Sequence, residues 1–184
     1  NLVGANLSGA NLSGANLSGA NLSGANLSDS ILYGANLAGT YLKHSDFSRA
    51  ELKGANFDGA NAQEMILEDT VLKGISFRGV HMEGYDFSGK NLMGIDFQNA
   101  ILQHVNFQNA DLTDANLDFA YLNSANFENV NLRNASIINS DFGGTDLTNA
   151  NLENTVIKNS YFKNSKLDGV RIDGATTDSC FEQD

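Results

Sequence analysis

The chain contains no proline and no tryptophan, and its single cysteine, Cys180, has no partner for an internal disulfide. Only 18% of the residues are charged, and the 11 basic ones are outnumbered by 22 acidic ones, for a net charge of -11. That balance repels a phosphate backbone, so direct nucleic-acid binding is not expected. No run approaches the ~18 apolar residues of a membrane span, and no charged leader precedes an apolar core. There is no phosphate loop, nucleophile elbow or C-x-x-C pair, so neither catalysis by this chain nor a cofactor is expected. Asp141-Phe142-Gly143 spells a kinase triplet, and Asn-Leu-Ser spells a glycosylation acceptor at Asn6, Asn11, Asn16, Asn21 and Asn26. Both are words generated by a repeat. Cys180 has no base beside it in sequence and reads as an inert thiol. The chain opens at Asn1 in mid-pattern, as a piece of something longer would.

What is present is a period of five. From Leu2 to Ile172, all 35 positions at five-residue steps are apolar, mostly Leu or Phe, against a hydrophobic content of 41%. Two places before each of these central residues, 29 of 34 sites hold Ala, Ser, Thr or Val. Asn or Asp usually precedes the centre, and the unit Ala-Asn-Leu-Ser-Gly runs four times from Ala5 to Gly24. Such a period suits neither a helix nor an ordinary strand, so each unit must be a short extended piece followed by a bend. One unit cannot bury its Leu alone. Coiling with successive turns stacked would put the central side chains on an interior axis and pair each backbone group with the neighbouring coil. Asn and Asp suit the bends, because their side chains bond nearby backbone and tolerate unusual dihedrals.

These residues resemble the pentapeptide-repeat family, whose motif A(D/N)LXX is matched over nearly the whole chain. The resemblance implies an all-β fold, a right-handed quadrilateral parallel β-helix with four units, about twenty residues, per coil. On that reading residues 1–172 form about nine coils, a rod roughly 40 Å long at the usual strand spacing. Residues 173–184 are expected to form an irregular acidic cap or tail, with Phe181 over the last coil. The unpaired edges at the two ends invite end-to-end stacking.

The pattern is disturbed between residues 60 and 95. Met65, Ile75, Tyr85, Lys90 and Ile95 occupy the small inward site, and a central Leu becomes Ala62. The coils must widen or repack there. Met65 is expected to refill the volume lost at Ala62, and the Lys90 amine to reach solvent through a local distortion.

Stacking positions twenty apart gives the surfaces. The side through residues 5–9 carries Asp29, Asp46, Glu68, Asp69, Asp86, Glu128, Asp146 and Asp168 against Arg49 and Lys166, a net charge of -6 (two positive, eight negative). The next side, through residues 10–14, balances to zero. On the side through residues 1–4, the column preceding the centre holds Tyr41, His81, Ile101, Tyr121 and Tyr161, with His44 and His104 nearby. Two readings stay open for this column: recognition of a protein partner, or tyrosines stacked on one another to stabilise the sheet. His44 and His104 lie three coils apart, roughly 14 Å, too far to share a metal ion.

The leading functional expectation is a non-catalytic scaffold that binds a protein partner, as the partner- or substrate-recognition section of a larger bacterial protein. A bacterial cytoplasm or secretion as an effector would suit it, since the family's repeats occur in both settings. The alternative is an acidic DNA mimic that binds DNA gyrase or topoisomerase, since the chain is similar in charge and repeat to quinolone-resistance proteins. Ile66, Asn106 and Asn126 interrupt the acidic column and weaken that alternative. A surface-binding lattice built on Ser8, Ser13, Ser18, Ser23 and Ser28 covers too little of the rod.

Overall fold

The computed structural model describes residues 1–180, which wind as a right-handed quadrilateral parallel β-helix of about nine coils. Each residue of the ladder bridges the one twenty further on, as in Asn6↔Asn26↔Asp46 and Asn16↔Asn36↔Asn56. Between coils, the central N–H donates to the carbonyl ahead (Leu2 to Asn21, 2.7 Å) and the preceding residue's N–H to the carbonyl behind (Asn26 to Ala5, 2.9 Å). Within each unit a turn closes when the inward Ala N–H donates to the preceding central carbonyl (Ala5 to Leu2, 3.0 Å). We call the four sides after their first central residues: Leu2, Leu7, Leu12 and Leu17.

Two positions of the unit share the work of the bend. The second residue after each centre, from Gly4 to Ser179, has φ between +51° and +72°, which is the left-handed region. Glycine enters it freely, and Asn is the commonest other occupant because its short amide bonds locally. The Asn or Asp before the centre makes the side-chain bond instead. Asn6 Oδ1 accepts the Ser8 N–H at 3.1 Å, and Asp46 Oδ1 accepts the Ser48 N–H at 2.8 Å. Where Ser or Thr replaces Ala inside, its hydroxyl donates to a central carbonyl, that of its own turn for Thr40 (Leu37, 2.6 Å) and that of the preceding coil for Thr155 (Leu132, 3.0 Å). That bond makes a buried hydroxyl tolerable.

The central side chains form four interior columns. The Leu12 side is leucine from Leu12 to Leu152. The opposed Leu7 and Leu17 sides carry most of the phenylalanines: Phe87, Phe107 and Phe127 stack on one, and Phe57, Phe77 and Phe97 on the other, while Phe142 and Phe162 stack on the Leu2 side. The two stacks meet across the axis, where Phe97 lies edge-on to Phe107 with ring centres 6.0 Å apart. Ala62 and Met65 are both buried in this interior, as expected for a volume exchange.

Near the end the corner on the Leu17 side opens into three short strands, β1 (Ser136–Ile138), β2 (Val156–Lys158) and β3 (Thr176–Asp178). They pair in parallel with Ile137, Ile157 and Thr177 in register. Here Ser160 Oγ accepts the Ser140 N–H at 3.1 Å in place of the tight turn bond. The boundary expected after residue 172 does not end the coil, because Gly174 takes the left-handed corner, Ala175 N–H closes the turn on Ile172 and β3 pairs with β2. Backbone pairing with the coil below holds these residues although the side-chain pattern has lapsed. The expected Phe181 lid lies outside the described residues.

The ladder is interrupted where the sequence is disturbed. Among the described residues no bridge joins Ile66 to Asp86, Glu51 to Val71, or Val71 to Asn91. Tyr85 occupies the gap: its ring centre lies 4.4 Å from that of Phe87, and the Leu67 N–H acts on its phenol. Lys90, half-buried, occupies the next inward site, and its charge is felt at Asp86. Val71, in the outward position before its centre, is 75% exposed.

Candidate functional site

Two surfaces were legible as columns, and the structure treats them differently. On the Leu7 side, Asp46, Asp86 and Asp146 stand in the position before the centre, where each carboxylate accepts the backbone N–H two residues on. They are structural groups first. Asp86 is held below the ordinary carboxylate range by the Ser88 N–H, then by the Ser88 hydroxyl and the Asn106 amide. Asp146 is lowered from 3.8 to about 2, chiefly by the Lys166 ammonium at 2.7 Å and next by the Thr148 hydroxyl at 2.6 Å.

Neutralisation goes further. Arg49 Nε and Nη2 grip both oxygens of Asp29 at 2.8 Å, and Glu128 accepts the Gln108 amide at 2.7 Å. Exposed Ile66 falls where the ladder opens, so Asp46 and Asp86 are not successive members of one continuous column. Glu68, Asp69 and Asp168 lie along the same side, Asp69 at a left-handed corner with φ +54°. The side is acidic in sum, but Arg49 and Lys166 break it into patches.

The Asp146 shift has a testable sign. A depressed carboxylate contributes stability that is full above pH 3.8 and is lost as the pH falls towards 2. The contribution is small, because the pair is open to solvent. Lys166→Ala should raise the Asp146 pKa towards its ordinary value in a carboxyl NMR titration and leave Asp86 unmoved. An unchanged Asp146 titration would show that the ion pair is not what depresses it.

The Leu2 side is organised otherwise. Bridges run Tyr41↔Asn61↔His81↔Ile101↔Tyr121↔Asp141↔Tyr161, so all five candidate residues stand in one straight column. Tyr41 and Tyr121 are just over half exposed and Tyr161 is 44% exposed. Among the described residues no ring pair joins these tyrosines to one another, which removes mutual stacking as their role. Tyr161 instead lies against Gly143, where an added Cβ would sit 2.9 Å from the ring. His44 is drawn aside to Glu64, 3.2 Å from Nδ1 to the carboxylate.

One exposed aromatic at the edge of this surface was not singled out from the sequence. Phe119 sits at a left-handed corner with φ +59°, 44% exposed, two residues before Tyr121. A bulky aromatic is a poor choice at that dihedral, and Gly or Asn fills most equivalent sites. The available signal was the residue type at that place in the unit. Phe119 stands at the corner that leads from the Leu17 side to the Leu2 side.

The family profile described as pentapeptide repeats matches in eight copies that run from residue 1 to residue 176. Among solved structures, a pentapeptide repeat protein of the Arabidopsis thaliana thylakoid lumen is 37% identical over 50% of this chain and 65% of its own, with a TM-score of 0.50. HetL, a protein involved in heterocyst differentiation regulation in the cyanobacterium Nostoc, is 26% identical over 94% of this chain and 84% of its own, at a TM-score of 0.47. QnrB1, a plasmid-mediated fluoroquinolone resistance protein, is 20% identical over 91% of this chain and 86% of its own, at 0.60. The sequence matches no curated protein at a comparable level. No helix among the described residues is long and apolar enough to cross a membrane.

Proposed function

This chain belongs to the pentapeptide-repeat family, and from that premise we propose that it is a non-catalytic protein-interaction scaffold, the recognition section of a larger bacterial protein such as a secreted effector. The observation that carries this reading is the straight column of unpaired, solvent-facing rings on the Leu2 side. Rigid aromatic side chains supply contact area at low entropic cost, and a lattice that holds them in place has already met the cost of ordering. Nothing in the coil itself consumes them, in contrast to the carboxylates of the Leu7 side.

The test uses the full-length protein as bait. Replacing Tyr41, Tyr121 and Tyr161 together by Ala should abolish capture of its partner while leaving the melting temperature within a few degrees, since the rings are surface groups. Replacing Glu128 and Asp168 by Gln and Asn should leave capture intact. Retention of the partner by the triple variant would remove the aromatic column from the function. The acidic gyrase mimic has weaker support, because Asp46, Asp86 and Asp146 are tied to backbone and Asp29 and Asp146 are ion-paired in place. A supercoiling assay with DNA gyrase should give no inhibition at excess protein.

A further inference from the structure

The rings of the Leu2 side are not scattered along their column. Positions 41, 81, 121 and 161 are Tyr, His, Tyr and Tyr, whereas the alternate positions 61, 101 and 141 are Asn, Ile and Asp. The bridge register sets these residues in unbroken succession, so a ring recurs every second coil. At roughly 4.8 Å between neighbouring coils, the rings repeat about every 9.6 Å over a line of about 29 Å. The tyrosines are about half exposed, and Tyr161 is seated against Gly143.

We propose that this array is a docking track for an extended, proline-rich, basic peptide segment of a partner protein, one turn of polyproline II helix per ring. The physical ground is a match of periods. A polyproline II helix has three residues per turn and rises about 3.1 Å per residue, so one face of the peptide returns every ~9.3 Å. Against the ring spacing the mismatch over three intervals is about 1 Å, which side-chain adjustment absorbs. Such a peptide is already extended before it binds, so little ordering entropy is spent, and its free carbonyls can accept the tyrosine hydroxyls.

Charge complementarity selects the basic class of ligand. The protein carries -11 overall, and on the Leu2 side Glu64, Glu83 and Asp141 outnumber Lys43 and Lys163, with Lys43 paired to Glu64 at 3.4 Å and Asp141 standing between Tyr121 and Tyr161. A cationic side chain on every third residue would meet this field, whereas an acidic peptide would be repelled. This assignment rests on the protein-recognition reading above and names the class of partner for it.

The probe is a fluorescently labelled peptide of four Pro-Pro-Arg units, about twelve residues, long enough to reach all four rings at 3.1 Å per residue. Saturable binding is expected in fluorescence anisotropy, weakening by about tenfold for each of Tyr121→Ala and Tyr161→Ala and little changed by Glu128→Gln. Shortening the peptide by one unit should weaken binding as one ring is lost. A peptide of equal composition with the prolines moved out of the three-residue period should bind at least about tenfold more weakly. The proposal is overturned if the periodic peptide fails to saturate, if the scrambled one binds equally, or if the tyrosine variants bind as the parent does. It is also overturned if a β-1,4-linked hexasaccharide saturates the tyrosines and the peptide does not. Loss of partner capture by the triple tyrosine variant together with absent peptide binding would sink this assignment alone and leave the scaffold reading standing.

Discussion

Replacing Phe107 by aspartate should abolish the cooperative thermal transition of the rod, or split it into separate meltings of the coils on either side. Phe107 is fully buried and makes three ring contacts: stacked on Phe87 at 5.5 Å and on Phe127 at 5.0 Å, and edge-on to Phe97 at 6.0 Å. Removing a buried Phe costs about 3 to 5 kcal/mol. A carboxylate in the same place adds several more, since no cation or N–H is there to receive it. Together these rival the whole stability of a typical domain, roughly 5 to 15 kcal/mol. In a solenoid the damage is also local in a special way, because each coil is supported only by its two neighbours. Asn109→Asp makes the control: it places the same charge two residues away, at an exposed left-handed corner that aspartate accepts. Circular dichroism melting should hardly change for the control. A native melt from the Phe107 variant would mean that the interior stack does not hold the rod together.

The second large effect is expected at Tyr85. Where the ladder opens, Leu67 N–H loses its partner on Asp86 and acts instead on the Tyr85 phenol. Burial pushes the phenol pKa from 10.0 up to about 12, with the Leu67 N–H opposing that rise in part. For a group raised in this way, the stabilisation is complete below pH 10 and is lost as the pH climbs towards 12, because the unfolded chain ionises first. At about 1.4 kcal/mol per pKa unit the loss over that window is roughly 2 to 3 kcal/mol. Tyr85→Phe removes the titration but leaves the Leu67 N–H unpaired, costing about 1 to 3 kcal/mol at neutral pH. The parent should therefore be the more stable of the two at pH 7, and its advantage should shrink steadily above pH 10. Denaturant unfolding of both proteins across that range is the measurement. An advantage that stays constant with pH would place the hydroxyl in solvent rather than in the gap.

The fold could be read from the sequence because one constraint, an apolar side chain on the axis, recurs without a break from Leu2 to Ile172. A single period with no insertions admits a single coil, and the inward Ala column then sets how closely the backbone can wind. The disturbance at residues 60–95 was also visible, since five large residues displace the small ones there. Its centre was not. Lys90 looked hardest to place, yet Tyr85 does the prying, because a rigid ring must lie between coils whereas a flexible lysine stem can bend aside. The end of the repeat was misjudged for a related reason. Side-chain pattern marks where the core stops, but Thr176–Asp178 are held by backbone pairing to Val156–Lys158, which leaves little trace in composition.

Surface function was less legible. Outward positions obey no packing rule, so their alignment can be counted but their state cannot. Stacking put Tyr41, Tyr121 and Tyr161 in one column but could not say whether the rings touch, and the structure keeps them apart. Likewise the carboxylates of Asp46, Asp86 and Asp146 looked like free surface charge, whereas each is bound to the backbone of its own turn. Phe119 escaped notice because a bulky ring is not expected at a left-handed corner, which Gly or Asn usually fills.

The four-sided winding makes the molecule behave like a gear indexed in units of five. Excising one unit between Tyr121 and Tyr161 would keep every Leu on the axis but swing the later half of the surface round by a quarter turn, carrying Tyr161 onto a different side. Excising four consecutive units would shorten the rod by one coil and leave every outward column aligned. Length and surface alignment can thus be varied independently in this architecture, since the step that preserves the interior is four times finer than the step that preserves the exterior.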